Sequence, residues 1–309
     1  MSVQRKECDV VINKPGNVTD RIILLGRNES SVYILKGKDE YALLGGGMVH
    51  IVPEMLDQLK ELKIEPEKIK RIIILHSHFD HCGVVPFFKK RWPWATITAS
   101  AKAKELLSSP KVIKAIESMN QSLIEKQGRQ KEAEELGLSF SGIAVEEVIK
   151  GGDTLSCGEL TLEVIDVPGH SSCSVAIYVP EEKAMFASDA GGIPFGDEVF
   201  TAGNSNFDQY QENLNKMAAY DIEIYLPEHY GARIGEDARN FLKKSIIAAK
   251  ETRKILEESL QRTKDWKKSV GEMTDKVMEK APADFLSRDI ISIVMGQMLK
   301  YLSKQMPNT

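Results

Sequence analysis

The segment RIIILHSHFDHCG, residues 71–83, constrains this chain more than any other. Ile72, Ile73, Ile74 and Leu75 form the short, β-branched apolar run of a buried strand, and His76, His78, Asp80 and His81 follow at once. In α/β folds ligands collect where the chain leaves the carboxyl end of a strand, so these side chains are placed for chemistry. Residues two apart in an extended segment point the same way, which lets His76 and His78 grip one ion. Asp80 and His81, entering the next helix, can turn toward a second. Imidazole and carboxylate without thiolate suit zinc, iron or manganese rather than a Cys-rich structural site. With 6 histidines in 309 residues, chance assembles this pattern on the order of once in ten thousand such chains.

The surrounding pattern alternates strands and helices. RIILL, SVYILKG, EYALLGG and ATITAS read as further strands, with helices at 53–63 and at about 81–91. A second β-rich block comprises VEEVI, LTLEVIDV, SVAIYVP, KAMFAS and IEIYLP, with KGGDTLSCGE as the turn between its first two runs. Two sets of strands, each with helices, imply an α/β layered fold. Val112, Ile116, Met119 and Leu123 at helical spacing make residues 101–136 a helical insertion. The tail is helical too, carrying Phe241, Ile246, Leu256 and Leu260, then Leu286, Ile290, Val294 and Met298 beyond Pro282, with RTKDWKKSVGEM as a polar break. The expected division is a catalytic domain over 1–234 and a helical subdomain over 235–309.

A two-metal site needs about six or seven donors, so others are sought at later strand ends. VIDVPGHSSCS places His170 after an apolar run, KAMFASDAGG places Asp189, and IEIYLPEHYG places His229. His50 has no such setting and reads as an ordinary loop histidine. Forty-one Lys and Arg against 45 Asp and Glu leave no basic stripe for nucleic acid, and no apolar run reaches membrane-spanning length. Cys8, Cys82, Cys157 and Cys173 show no CxxC spacing and are expected as reduced thiols in a cytoplasmic protein.

HxHxDH at 76–81, Gly169-His170, Asp189 and His229, in that order, resemble the metallo-β-lactamase superfamily. The resemblance implies an αββα sandwich in which His76, His78 and His170 hold one divalent ion, Asp80, His81 and His229 hold the second, and Asp189 bridges them. HSHFDHCGVVPFF, VIKAIESMNQSLI, GDTLSCGELTLEVIDVPGHSSCSVAIY, FASDAGG and the helical tail are further similar to the quinolone-signal thioesterases. That likeness implies an iron pair and C-terminal helices that cover the site mouth as a lid, but GIPFGDEVFTAGNSNF and 265–309 do not match at residue level, so the substrate is not carried over. Many superfamily members have an aspartate where this chain has Gly45, Gly46 and Gly47, read here as a tight turn beneath the metals.

Two ions can bring a bridging water to a near-neutral pKa and so provide a hydroxide nucleophile, with Asp80 orienting it. The expected substrate is a small thioester or ester, since a thiolate leaves without a general acid. Lactones and phosphodiesters are alternatives, as is a metal-stabilised regulatory protein that binds a partner. Cys82 and Ser171, Ser172 and Ser174 are expected to pack and shape turns. The apolar helical tail is compatible with a homodimer.

Overall fold

A computed structural model describes residues 10–282 and 286–305; Cys8 and the rest of the N-terminal segment lie outside the described residues. The described chain divides into two compact units. The first runs to Asp166 and takes in Cys173–Ser188 and Ile222–Arg239; the second comprises Val167–Ser172, Asp189–Asp221 and Asn240 onward.

The first unit holds two seven-stranded sheets. One has the order β2 (Gly16–Asn17), β3 (Ile22–Arg27), β4 (Ser30–Lys36), β5 (Tyr41–Leu44), β6 (Ile69–Ile73), β7 (Thr96–Ser100) and β8 (Glu147–Ile149). Its β2–β5 pairings are antiparallel and those from β5 to β8 parallel. The other has the order β1 (Val10–Ile12), β16 (Ala232–Ile234), β15 (Ile224–Leu226), β12 (Ala184–Phe186), β11 (Val175–Val179), β10 (Leu160–Asp166) and β9 (Thr154–Cys157). Among the described residues, only β12 and β15 run parallel there.

Side chains two apart face the same way, and that period builds the core. Ile22 and Leu24, Tyr33 and Leu35, and Ala42 and Leu44 meet Leu162, Val164, Ile177, Phe186 and Leu226 in one cluster. The Tyr33 and Phe186 rings pack edge to face at 5.7 Å. The opposite faces are apolar as well, with Ile23, Leu25, Ile34, Leu43 and Ile72 buried. Sheets covered on both sides read as continuous apolar runs, the form in which these strands appear in the sequence. The flanking helices are α1 (Val52–Glu61), α2 (Val85–Arg91), α3 (Ala101–Leu107), α4 (Pro110–Lys126) and α5 (Gln130–Leu136). The αββα layering is therefore present, and α3 to α5 fill the expected insertion at 101–136.

The second unit contains the hairpin β13 (Ile193–Phe195) and β14 (Glu198–Phe200), then α6 (Phe207–Met217), most of α7 (Glu236–Thr263), α8 (Trp266–Met278) and α9 (Arg288–Ser303). α8 and α9 pack on each other, and α6 contacts α9. Among the described residues no helix is long and apolar enough to cross a membrane.

Three expectations need correction. KGGDTLSCGE is not all turn, because Thr154–Cys157 pairs with Leu160–Glu163 as a hairpin. The helix expected from about 81 begins at Val85, after a 3-10 turn over Phe79–His81; Gly83 leaves no room for a Cβ, which would lie 2.5 Å from the Val49 nitrogen. RTKDWKKSVGEM breaks helical structure only briefly, since Asp265 accepts from the Lys267 amide at 2.9 Å and starts α8 one residue later.

Candidate metal centre

Beyond β6 the chain stays extended to His78, whose φ and ψ are −69° and 153°, and then turns through Phe79–His81. The triple glycine lies under this turn. The Gly83 and Val84 amides donate to the Gly47 and Gly46 carbonyls at 2.8 and 2.9 Å. A Cβ on Gly46 would sit 2.4 Å from the His81 carbonyl oxygen, so glycine is needed for close approach of two backbones. His76, Asp80 and His81 are buried, and His78 is half-buried.

His229 arrives from the end of β15, and the β3–β4 turn clasps this end of the chain. Tyr33 donates to the Pro227 carbonyl at 2.7 Å, the Ser31 amide to the Glu228 carbonyl at 2.8 Å, and the Tyr230 amide to the Asn28 carbonyl at 2.7 Å. The His229 Nδ1 lies 2.7 Å from the Glu29 carbonyl oxygen, so it carries the proton, and Nε2 is left to accept or to ligate. That Nε2 lies 3.2 Å from His81 Nε2 and 3.8 Å from Asp80 Oδ2, and His81 Nε2 lies 3.4 Å from the same oxygen. One ligand atom from each of Asp80, His81 and His229 falls within 4.8 Å of the other two. A buried carboxylate and two imidazoles converging in this way match the donor set of a divalent cation. In the other expected pair, the His76 and His78 rings meet edge to face at 4.7 Å.

Within the second unit His170 and Asp189 are neighbours, with His170 Nε2 3.5 Å from Asp189 Oδ2. His170 Nδ1 donates to the Ala202 carbonyl at 2.8 Å, which again turns Nε2 toward the carboxylate. Gly169 makes this possible. Its φ is +138°, and a Cβ there would meet the Tyr210 nitrogen on α6 at 2.4 Å.

A family profile described as the metallo-beta-lactamase superfamily matches residues 25–229. The chain belongs to this superfamily. A probable metallo-hydrolase of Bacillus subtilis, YqgX, is 24% identical over 208 residues, covering 66% of this chain and 83% of its own. An acyl-coenzyme A thioesterase of Gallus gallus, MBLAC2, is 24% identical over 241 residues, covering 72% and 82%. Among solved structures, the metallo-beta-lactamase family protein TTHA1429 of Thermus thermophilus superposes with a TM-score of 0.67 at 18% identity, covering 94% of this chain and 95% of that one. This last likeness shows the fold.

Membership makes the chain one of a superfamily of metal-binding hydrolases, and several of its residues have settings that the sequence does not show. His50 is no ordinary loop residue. It is buried in a turn at Val49–Ile51, 3.2 Å from Glu29 Oε1. Burial alone would raise the pKa of Glu29, but its hydrogen bond to His50 and the nearby Arg27 charge hold the carboxyl below its usual range. Arg129, at the start of α5, pairs with Glu54 and donates to the His50 carbonyl at 2.7 Å, tying the insertion to α1. Cys82 is buried and donates to the His78 carbonyl at 3.2 Å; burial pushes its thiol far above the ordinary range, so it packs as expected and offers no nucleophile. Glu228 and Ser188 adjoin the expected ligands and were not singled out from sequence. The only signal was position, an acid and a hydroxyl each one residue before a strand-end ligand.

Proposed function

We propose that this chain is a dinuclear metal-dependent hydrolase of small thioesters or esters. The observation that carries the reading is the buried convergence of Asp80, His81 and His229. We further propose that His76, His78 and His170 form the second ligand set and that Asp189 joins the two. When bound, two divalent ions, zinc or iron by ligand chemistry and manganese as a third choice, supply a hydroxide at neutral pH and polarise a carbonyl. The chain's own part is to present Nε2 of His76, His81, His170 and His229 and to keep the donors out of bulk water. The Asp80 carboxylate, at the lip of the 3-10 turn, orients the attacking oxygen by accepting a hydrogen bond from it. Cleavage of a thioester suits this site because a thiolate departs without a protein acid. The similarity to MBLAC2, an acyl-coenzyme A thioesterase, supports this choice of substrate class.

The test pairs metal analysis of protein purified without chelators with a panel of acyl-CoA esters, homoserine lactones and bis-p-nitrophenyl phosphate. Two ions per chain and turnover greatest on acyl-CoA esters are expected. Preference for a lactone or the phosphodiester would reassign the substrate class, and no turnover by metal-loaded protein on any arm would overturn the enzymatic reading.

A further inference from the structure

Glu228 is 2% exposed and is in neither proposed ligand set. A buried carboxylate is costly unless its oxygens are engaged, so its partners define its role. Oε2 lies 3.1 Å from His81 Nδ1 and 4.0 Å from His76 Nδ1. Ser188 donates its hydroxyl proton to the same oxygen, and Ser188 Oγ lies 3.0 Å from His76 Nδ1. A carboxylate only accepts, so with the hydroxyl proton committed to Glu228, His76 Nδ1–H must donate to Ser188 Oγ. This selects the tautomer with the lone pair of His76 on Nε2. His81 Nδ1 faces the same carboxylate as a close charge contact that is not aligned as a hydrogen bond, and its Nε2 lies toward Asp80 and His229.

The backbone is arranged around this carboxylate. Gly45 has φ of +86°, and a Cβ there would fall 2.4 Å from Glu228 Oε1. Ser188 has φ of +49°, a conformation unusual for a residue with a side chain, and in it the hydroxyl reaches both Glu228 and His76. A glycine cradle and a strained serine thus converge on one acid.

We propose that Glu228 is a positioning residue that holds one histidine from each metal's ligand set, His81 by direct approach and His76 through Ser188. One carboxylate then governs both ions. This rests on the dinuclear reading above, and its test separates the two.

Metal affinity is measured by chelator competition on wild-type, Glu228→Gln and Ser188→Ala proteins, with the melting temperature of each metal-free protein as a check on folding. Glu228→Gln keeps the shape and is expected to weaken both ions, by about 10- to 100-fold. Ser188→Ala is expected to weaken only the ion held by His76. Wild-type affinity for both ions in folded Glu228→Gln overturns the proposal and leaves the dinuclear reading intact. His76, His81 and Glu228 could together hold an ion, and loss of an ion from that site alone would make Glu228 a ligand and overturn the proposal also. Should Glu228→Gln fail to fold, unchanged affinities in Ser188→Ala overturn the relay to His76. A wild-type protein that binds no metal overturns both readings.

Discussion

The candidate metal-binding end of the first unit and helix α9 of the second both bury side chains, but for different reasons. The first places His76, Asp80, His81, Glu228 and His229 where little water reaches them. Each must be oriented by a partner, because an unpartnered buried charge is strongly destabilising. The second buries Ile291, Val294, Met295, Met298, Leu299 and Leu302 along one face of α9. There the requirement is volume, which many apolar side chains can meet. The site should therefore be intolerant of changes in charge at constant shape, and the helices of changes in size.

The largest effect is expected where charge alone is altered. Asp189→Asn, nearly isosteric, should lower kcat/KM for the preferred acyl substrate on the order of 1,000-fold or more and reduce metal per chain. His78→Ala should do the same. Full turnover in either variant, in protein shown to have lost metal, would break the metal-centred half of the comparison. Next comes Leu299→Ala, which removes fully buried volume from α9 and should cost about 3 kcal/mol in denaturant unfolding. Metal per chain should stay at the wild-type value, while Met298→Leu, conserving volume, should cost less than about 1.5 kcal/mol.

Gly45→Ala joins the two kinds of constraint, since it adds a single methyl against a charged group at a positive φ. A loss of about 2 kcal/mol in thermal or denaturant unfolding is expected. No loss would mean that Glu228 can move aside freely. The smallest effect belongs to Asp208 at the start of α6. A hydrogen bond from Arg253, then those from Gln305 and Tyr301, hold its carboxyl below the usual range. Because the folded pKa is depressed, this contribution is present above the ordinary carboxylate pKa and disappears as pH falls through the lowered one. The site is partly exposed, so solvent screening limits Asp208→Asn to less than about 1 kcal/mol at neutral pH. Measured against wild type, that difference should vanish in acid.

Legibility followed the range of the interactions. The insertion was readable because 101–136 carries its own helical period, and α3 starts at Ala101 while α5 ends at Leu136. Many strands of the two blocks were readable because β3, β4, β5, β11 and β12 are buried on both faces. β9 was hidden because four residues between glycine turns are too few for a period, and α8 because it buries chiefly Ser269, Met273 and Thr274. The setting of His50 is hidden from the sequence because its partner Glu29 lies on a different turn, and turns have no sequence period to connect them. The assignment of Val167–Ser172 and Asp189–Asp221 to the helical unit is equally invisible, since contact, not chain order, defines it.

The sequence by itself determined the αββα fold class, the superfamily and a set of metal-binding residue types at strand ends, because strand periodicity and ligand chemistry are local properties. Only the tertiary structure decided which nitrogen each histidine presents. His229 is oriented by a carbonyl 200 residues away, and His76 by Ser188 and through it Glu228, which lies against Gly45. Hydrogen-bond direction depends on partners in space, and those partners exist only once the chain has folded.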